Sequence, residues 1–359
     1  MNYIKRMNNL RKKMKNADLD GFIILDRSNT FYFSGFQGTS SIIILMSDVA
    51  LFLTDSRYYD HAKKSLPPFF EVLLQKNDGR DQIKSFFSAR GKLHIGFEPS
   101  ISYAKHKWLL RAVKPARLLE AGNIISAQRD IKDETEIKNI RKAASITDRC
   151  FRMVCKNIKP GMTERQIAIN IKRFFEDSGA EGESFPTIVA SGPNAAMPHH
   201  RSSKRKFKKG DVVLLDMGCR IAGYCSDLSR TIFLGSVSEP EKEIYKIVQQ
   251  AQKIGVNAVR PGISAKELDG LVRQSITDAG YGESFGHNTG HGVGIEIHES
   301  PLIGPLSDII LKKGMILTIE PGIYCPGFSG VGIEDMVLVT GEGGKLLSRC
   351  SRKLLVTGG

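Results

Sequence analysis

The 359-residue chain has one tryptophan, eight histidines and six cysteines, and each scarcity narrows the reading. All the cysteines (Cys150, Cys155, Cys219, Cys225, Cys325 and Cys350) lie beyond residue 149, and none forms a Cys-x-x-Cys pair. That pattern suits neither a disulfide framework nor a thiolate zinc site, so they read as free thiols in a reducing compartment. No window approaches the roughly eighteen apolar residues a membrane-spanning helix needs, so no membrane partner is expected. The N-terminus, MNYIKRMNNLRKKMKNADLD, is basic but lacks the apolar centre of a signal peptide, and a cytoplasmic location is expected. Acidic residues are outnumbered, 38 against 52 basic, for a net charge of +14. Such an excess can mark a nucleic-acid binder. Yet the densest basic run, RSSKRKFKK (201–209), stands beside no RNA- or DNA-reading signature and ends at Gly210-Asp211, a turn into an apolar stretch. It reads as a solvated loop, and nucleic acid is not expected as a partner.

The length allows two or three domains. Residues 3–17 have helical apolar spacing; short apolar runs follow at 21–26, 41–47, 49–55 and 92–98, with helix-like stretches near 80–90 and 103–113. Strands alternating with helices predict a small mixed sheet covered by helices. Near residue 130 a long charged amphipathic helix begins, with acidic residues that suit a helix N-terminus, which places a domain boundary at about 128. The remainder, 129–359, shows a loose internal repeat. Helices over 131–157 and 163–178 precede VVLLDMG and SDLSRTIFL; helices over 239–258 and 264–280 precede MILTIEPG and GIEDMVLVT. Each half carries two acids on apolar strands: Asp216 and Asp227 in one, Glu320 and Glu334 in the other.

An ionised carboxylate on an apolar strand is costly to bury unless it is paired or bound to a metal. Four of them facing one another would form a pocket for divalent cations. GHNTGHGVGIEIHESP (286–301) adds three of the eight histidines in a glycine-rich run that suits a tight turn or bulged strand better than a helix. Oxygen ligands with one imidazole suit divalent Mn, Co, Zn or Fe. Two ions sharing bridging carboxylates would sit about 3.5–4 Å apart with a hydroxide between them.

The runs LLDMGCRIAGYCSDLSRT, GHNTGHGVGIEIHESP, LTIEPGIY and GVGIEDMVLVT together resemble the pita-bread metallopeptidases, in the branch of aminopeptidase P and prolidase. FYFSGFQGTS and LFLTDSRYYDHA resemble the creatinase-type N-terminal domain of that branch, which methionine aminopeptidases lack. The resemblance covers most of the chain. It implies a two-domain α/β protein: a creatinase-like mixed-sheet domain over 1–128 and a pita-bread catalytic domain with a pseudo-twofold repeat over 129–359. It implies Asp216, Asp227, His291, Glu320 and Glu334 as ligands of two metal ions, with Mn²⁺ expected and Co²⁺ or Zn²⁺ as alternatives. His199, His287 and His298 match the substrate-facing histidines that stabilise the tetrahedral intermediate, and Glu320 matches the proton shuttle. His200 is expected to be a loop residue and Glu299 a structural partner; Tyr224 and Arg230 match family positions without an assigned role.

The implied activity is hydrolysis of the Xaa-Pro bond at the N-terminus of peptides, by an aminopeptidase or a dipeptidase, in a homodimer. The alternatives are another peptidase of this fold or a non-catalytic binding protein built on it. Creatinase shares the layout but lacks the metal ligands. One position departs from the family: Gly332 stands in GVGIED where arginine is usual. The alternation of strand side chains turns position 332 toward the metals, leaving space there for water or another cation.

Overall fold

The computed structural model describes residues 1–358, which divide into a compact unit Met1–Arg129 and a second beginning at Asp130. In the first unit, six strands form one sheet: β1 (Gly21–Ile24), β2 (Ile42–Met46), β3 (Ala50–Thr54), β4 (Glu71–Leu74), β5 (His94–Phe97) and β6 (Arg117–Glu120). Their order is β4-β3-β2-β1-β5-β6. The β1–β2 and β2–β3 pairs are antiparallel, whereas β1–β5, β3–β4 and β5–β6 are parallel, so the sheet is mixed. β1, β2 and β3 are buried throughout, which is why their sequences read as unbroken apolar runs. β4 and β6 are short edge strands exposed at both ends. His61 and His106 stack on Phe36 and Phe97, ring to ring, as packing residues of this unit.

The second unit repeats a helix-helix-sheet theme. Helices Glu134–Asn157 and Glu164–Asp177 precede a four-stranded sheet built on Val212–Met217 and Leu228–Leu234. Helices Glu239–Ala258 and Ala265–Asp278 precede a five-stranded sheet built on Gly290–Gly292, Ile316–Ile319 and Asp335–Val339. Three of these helices begin in capping boxes, from Asp133 to Glu136, Thr163 to Gln166 and Ser238 to Glu241. There the cap side chain and the residue three further on satisfy each other's backbone N–H. The long helix predicted from 131 starts at Glu134 because Asp133 is its cap.

Helical apolar faces pack on one side of each sheet. Ile146, Cys150, Ile167 and Ile171 meet Val213, Leu215 and Ile232 in one core. Leu268 and Val259 meet Leu317, Ile319 and Val337 in another. A third core, from Ile244 and Val248 to Leu214, Val331 and Ile333, joins the two halves. In each antiparallel pair the acids lie together at one end, Asp216 and Asp227 where Met217 faces Leu228, and Glu320 and Glu334 where Ile319 faces Asp335.

Candidate metal centre and substrate cleft

Strands Val212–Met217 and Leu228–Leu234 pair antiparallel with Asp216 opposite Ser229. Ser229 Oγ donates to Glu334 Oε2 at 3.0 Å, and its carbonyl accepts from the Glu334 amide at 3.0 Å. Asp227 lies just before the second of these strands and Glu334 just before Asp335–Val339. Both are buried, and with His291 they present ligand atoms within 4.8 Å of one another. His291 Nε2 is 3.6 Å from Asp227 Oδ2 and 3.3 Å from Glu320 Oε1. Glu320, just past Ile316–Ile319, keeps 26% of its side chain exposed to the cleft.

The backbone around His291 depends on glycine. A Cβ on Gly290 would lie 2.0 Å from the Thr318 carbonyl oxygen, and one on Gly292 would lie 2.1 Å from that of Ser300. The expected bulge is present, with the register shifting between His291 and Gly292. The buried Thr318 hydroxyl accepts from the His291 amide at 3.0 Å and donates to Glu320 Oε1 at 3.1 Å, so one side chain sets two others. His291 Nδ1 donates to the Gly292 carbonyl at 3.0 Å, which turns Nε2 toward the acids as a lone-pair donor.

The electrostatics are those of a cation-binding site. Burial, then the charge of Asp216, raises Glu320 to about 8. Asp216 is raised to about 7 by burial. Burial and mutual repulsion drive Asp227 and Glu334 well above the carboxylate range. Burial lowers His291 to about 4, so it is a neutral ligand. Asp216 Oδ1 is buried without a hydrogen-bond partner. Among the described residues, no lysine or arginine forms an ion pair with any of the four acids; their one ionisable counterpart is the imidazole. An orphaned carboxylate oxygen within a cluster of oxygen donors and a neutral imidazole fits divalent cations.

Asp216, His291 and Glu320 line a cleft of about 1100 Å³, together with His199, His287, His298, Leu302, Ile309 and Tyr324; Asp227 and Glu334 lie behind its wall. The His298 ring meets His291 edge to face at 4.3 Å. His287 Nδ1 donates to the Asn288 carbonyl at 2.8 Å, and its Nε2 is buried without a partner. Burial lowers its pKa. The neutral ring therefore presents an acceptor at Nε2.

Three expectations need adjustment. The space beside Gly332 is not open: a Cβ there would lie 3.3 Å from both Tyr324 Oη and Leu214 Cδ1. The polar side chain beside it is thus a phenol, kept neutral by burial and the nearby acids, rather than a lysine. His200 lies in a loop, as expected, but its ring is not free there. Its Nε2 lies 2.7 Å from Glu164, a buried carboxylate that also accepts from Ser191, Asn194 and Ser203. The basic run is not wholly solvated either, since Arg205 forks onto Asp211 at 2.6 and 2.8 Å; Arg201, Lys204, Lys206, Lys208 and Lys209 are exposed.

Arg230 and Glu299, noted in the sequence without partners, gain them in the structure. Arg230 is buried, pairs with Asp335 at 2.6 Å and donates to the Glu334 carbonyl. Glu299 pairs with the buried Lys132 at 2.8 Å. The signal for Arg230 was its place in an apolar strand beside the acids; Lys132 stands at the start of a charged helix and gave none.

Two helix-backed half-domains that converge four carboxylates and an imidazole beside one cleft define a metal-dependent hydrolase. Residues 138–341 match the model of metallopeptidase family M24, and residues 6–131 match that of the Creatinase/Prolidase N-terminal domain. The chain is 37% identical over 353 residues to the Xaa-Pro dipeptidase of Pyrococcus furiosus, spanning 98% of this chain and 99% of that protein. Among solved structures, the Xaa-Pro dipeptidase of Bacillus anthracis matches with a TM-score of 0.94 and 36% identity, covering 99% of this chain and all of the other. The X-Pro aminopeptidase of Thermotoga maritima matches at 0.91 and 34%, covering 98% and 99%. The chain belongs to metallopeptidase family M24: a hydrolase with a creatinase-like N-terminal domain, a pita-bread C-terminal domain and a requirement for divalent metal ions.

Proposed function

We propose that this protein hydrolyses Xaa-Pro bonds at the N-terminus of short peptides, with two divalent ions, Mn²⁺ by preference, held by Asp216, Asp227, His291, Glu320 and Glu334. The observation that carries the reading is the set of four converging acids, Asp227 and Glu334 of them buried, which among the described residues pair with no lysine or arginine while His291 meets Asp227 and Glu320. When bound, the ions supply Lewis acidity toward water and the substrate carbonyl.

The chain's own residues do the rest. Thr318 and the Thr289 carbonyl fix the side chain and the amide of Glu320, whose carboxylate faces the cleft. Glu320 takes the proton of the attacking water and passes it to the leaving proline nitrogen. His199 and His298 face the cleft and donate to the carbonyl oxygen as it gains charge. His287 Nε2 accepts from the substrate. The scissile tertiary amide has no N–H, so the available donors are the α-ammonium group and, in longer peptides, the amide after proline. Leu214, Leu302, Ile309 and Pro326 give the cleft apolar surface for a proline ring. A cytoplasmic homodimer completes the reading; the free cysteines suit a reducing compartment, and among the described residues no helix is long and apolar enough to cross a membrane.

The test is hydrolysis of Ala-Pro and Ala-Pro-Ala by the Mn²⁺-supplemented protein, beside Glu320→Gln. Wild type should cleave at least one of them, and the variant should lose about 10³-fold or more, because a ligand charge and a proton shuttle go together. Cleavage of neither peptide, or a variant within about tenfold of wild type, would sink the assignment.

A further inference from the structure

His287 sits in a loop that has little of its own to hold it. Gly286 and Gly290 frame the segment, and glycine has the most backbone freedom to lose on ordering. What holds the loop is a pair of charges on the helix Ala265–Asp278, one turn apart. Asp269 is buried, and its Oδ1 accepts from the backbone N–H of Thr289 at 3.1 Å and from its hydroxyl at 2.8 Å. Arg273 grips the same carboxylate with Nε to Oδ2 at 2.9 Å and Nη2 to Oδ1 at 2.9 Å. The guanidinium also donates Nη1 to the Phe285 carbonyl at 3.0 Å and Nη2 to the His287 carbonyl at 2.8 Å. Its plane covers the Phe285 ring at 4.5 Å, and that ring meets the His287 imidazole edge to face at 4.9 Å.

The backbone is therefore pinned on both sides of Gly286 and again at Thr289. On its other side, the Thr289 carbonyl accepts from the Glu320 amide at 2.8 Å. The loop is held between the helical charge pair and the strand end that carries a candidate metal ligand.

The geometry points to Asp269 and Arg273 as positioning residues that fix His287 in the substrate cleft, governing how a peptide is bound and turned over without themselves holding the metals. This rests on the cleft being the peptide site. Arginine is required because a planar fork can reach one carboxylate and two carbonyls at once. A lysine keeps the ion pair with Asp269 but cannot hold both carbonyls.

The test uses the full chain loaded with Mn²⁺, with Arg273→Lys made in wild type and in His287→Ala. In wild type, kcat/KM should fall by about tenfold or more, with bound metal and thermal midpoint unchanged. In His287→Ala the same change should cost less than about twofold, because the residue it acts through is already gone. Equal losses in the two backgrounds, or loss of metal on Arg273→Lys, would overturn the proposal. Should Arg273→Lys not fold, Asp269→Asn serves in the same cycle with the same criteria. A wild type that cleaves no Xaa-Pro peptide defeats the functional reading instead. Hydrogen exchange then decides the positioning claim: the Thr289 amide should exchange about tenfold or more faster in Arg273→Lys, and unchanged protection would overturn it.

Discussion

At the scale of single residues, the centre turns on charges that have few counterparts. Four carboxylates converge with one imidazole, which meets Asp227 and Glu320, and where the family usually places an arginine this chain has Gly332 with the Tyr324 hydroxyl beside it. A phenol can donate a hydrogen bond but cannot offset charge. Gly332→Arg would bring a cation to the carboxylates, at the cost of moving Tyr324, and a neighbouring cation favours ionised over protonated forms. The acidic limb of the pH–rate profile should therefore move to lower pH in Gly332→Arg; a limb that stays put with metal content unchanged would contradict the charge argument. The acids and histidines of the centre were legible because they stand in motifs, on apolar strands or between glycines. The residues that aim them were not. Thr318, Ser229, Asp269 and Arg273 are ordinary residues of strands and helices, and their role appears only when distant segments pack, as when Asp269 meets Thr289 across 20 positions.

At the scale of elements, Gly290–Gly292 is the piece on which the centre hangs. It lies so close to the neighbouring strands that a side chain on either glycine would meet a carbonyl oxygen. Gly290→Ala should destabilise the fold by about 1–3 kcal/mol, as overpacking does, and weaken metal binding through the shift of His291. Chemical denaturation and metal titration of the variant check this, and a variant equal to wild type in both would show that the close approach is relaxed in solution. The long helices were readable to within a few residues, since apolar spacing and capping boxes mark both face and start. The edge strands Glu71–Leu74 and Arg117–Glu120 were not, because EVLL and RLLE are too short to show alternation and are half exposed. Their pairing is decided by neighbouring strands far along the chain.

For the whole molecule, the buried acids make stability depend on metal and on pH together. In the metal-free chain, Glu320 and Asp216 are raised to about 8 and about 7. The folded state thus binds protons that the unfolded chain, with ordinary carboxyl values, has already released, and its stability falls as pH rises through that range. Metal-free protein should melt at a lower temperature at pH 8.5 than at pH 6, and Mn²⁺ should reverse the order, because bound cations favour the ionised acids. A metal-free chain that is equally stable at both values would show that the four acids are not forced together. The most direct test of the central claim is the metal content of the purified protein after loading with Mn²⁺ and removal of the excess, measured alongside Xaa-Pro hydrolysis. About two ions per chain, with activity lost on chelation and restored by Mn²⁺ or Co²⁺, is the predicted result; protein that retains no divalent ion, or that cleaves Xaa-Pro peptides equally well after complete chelation, would contradict it.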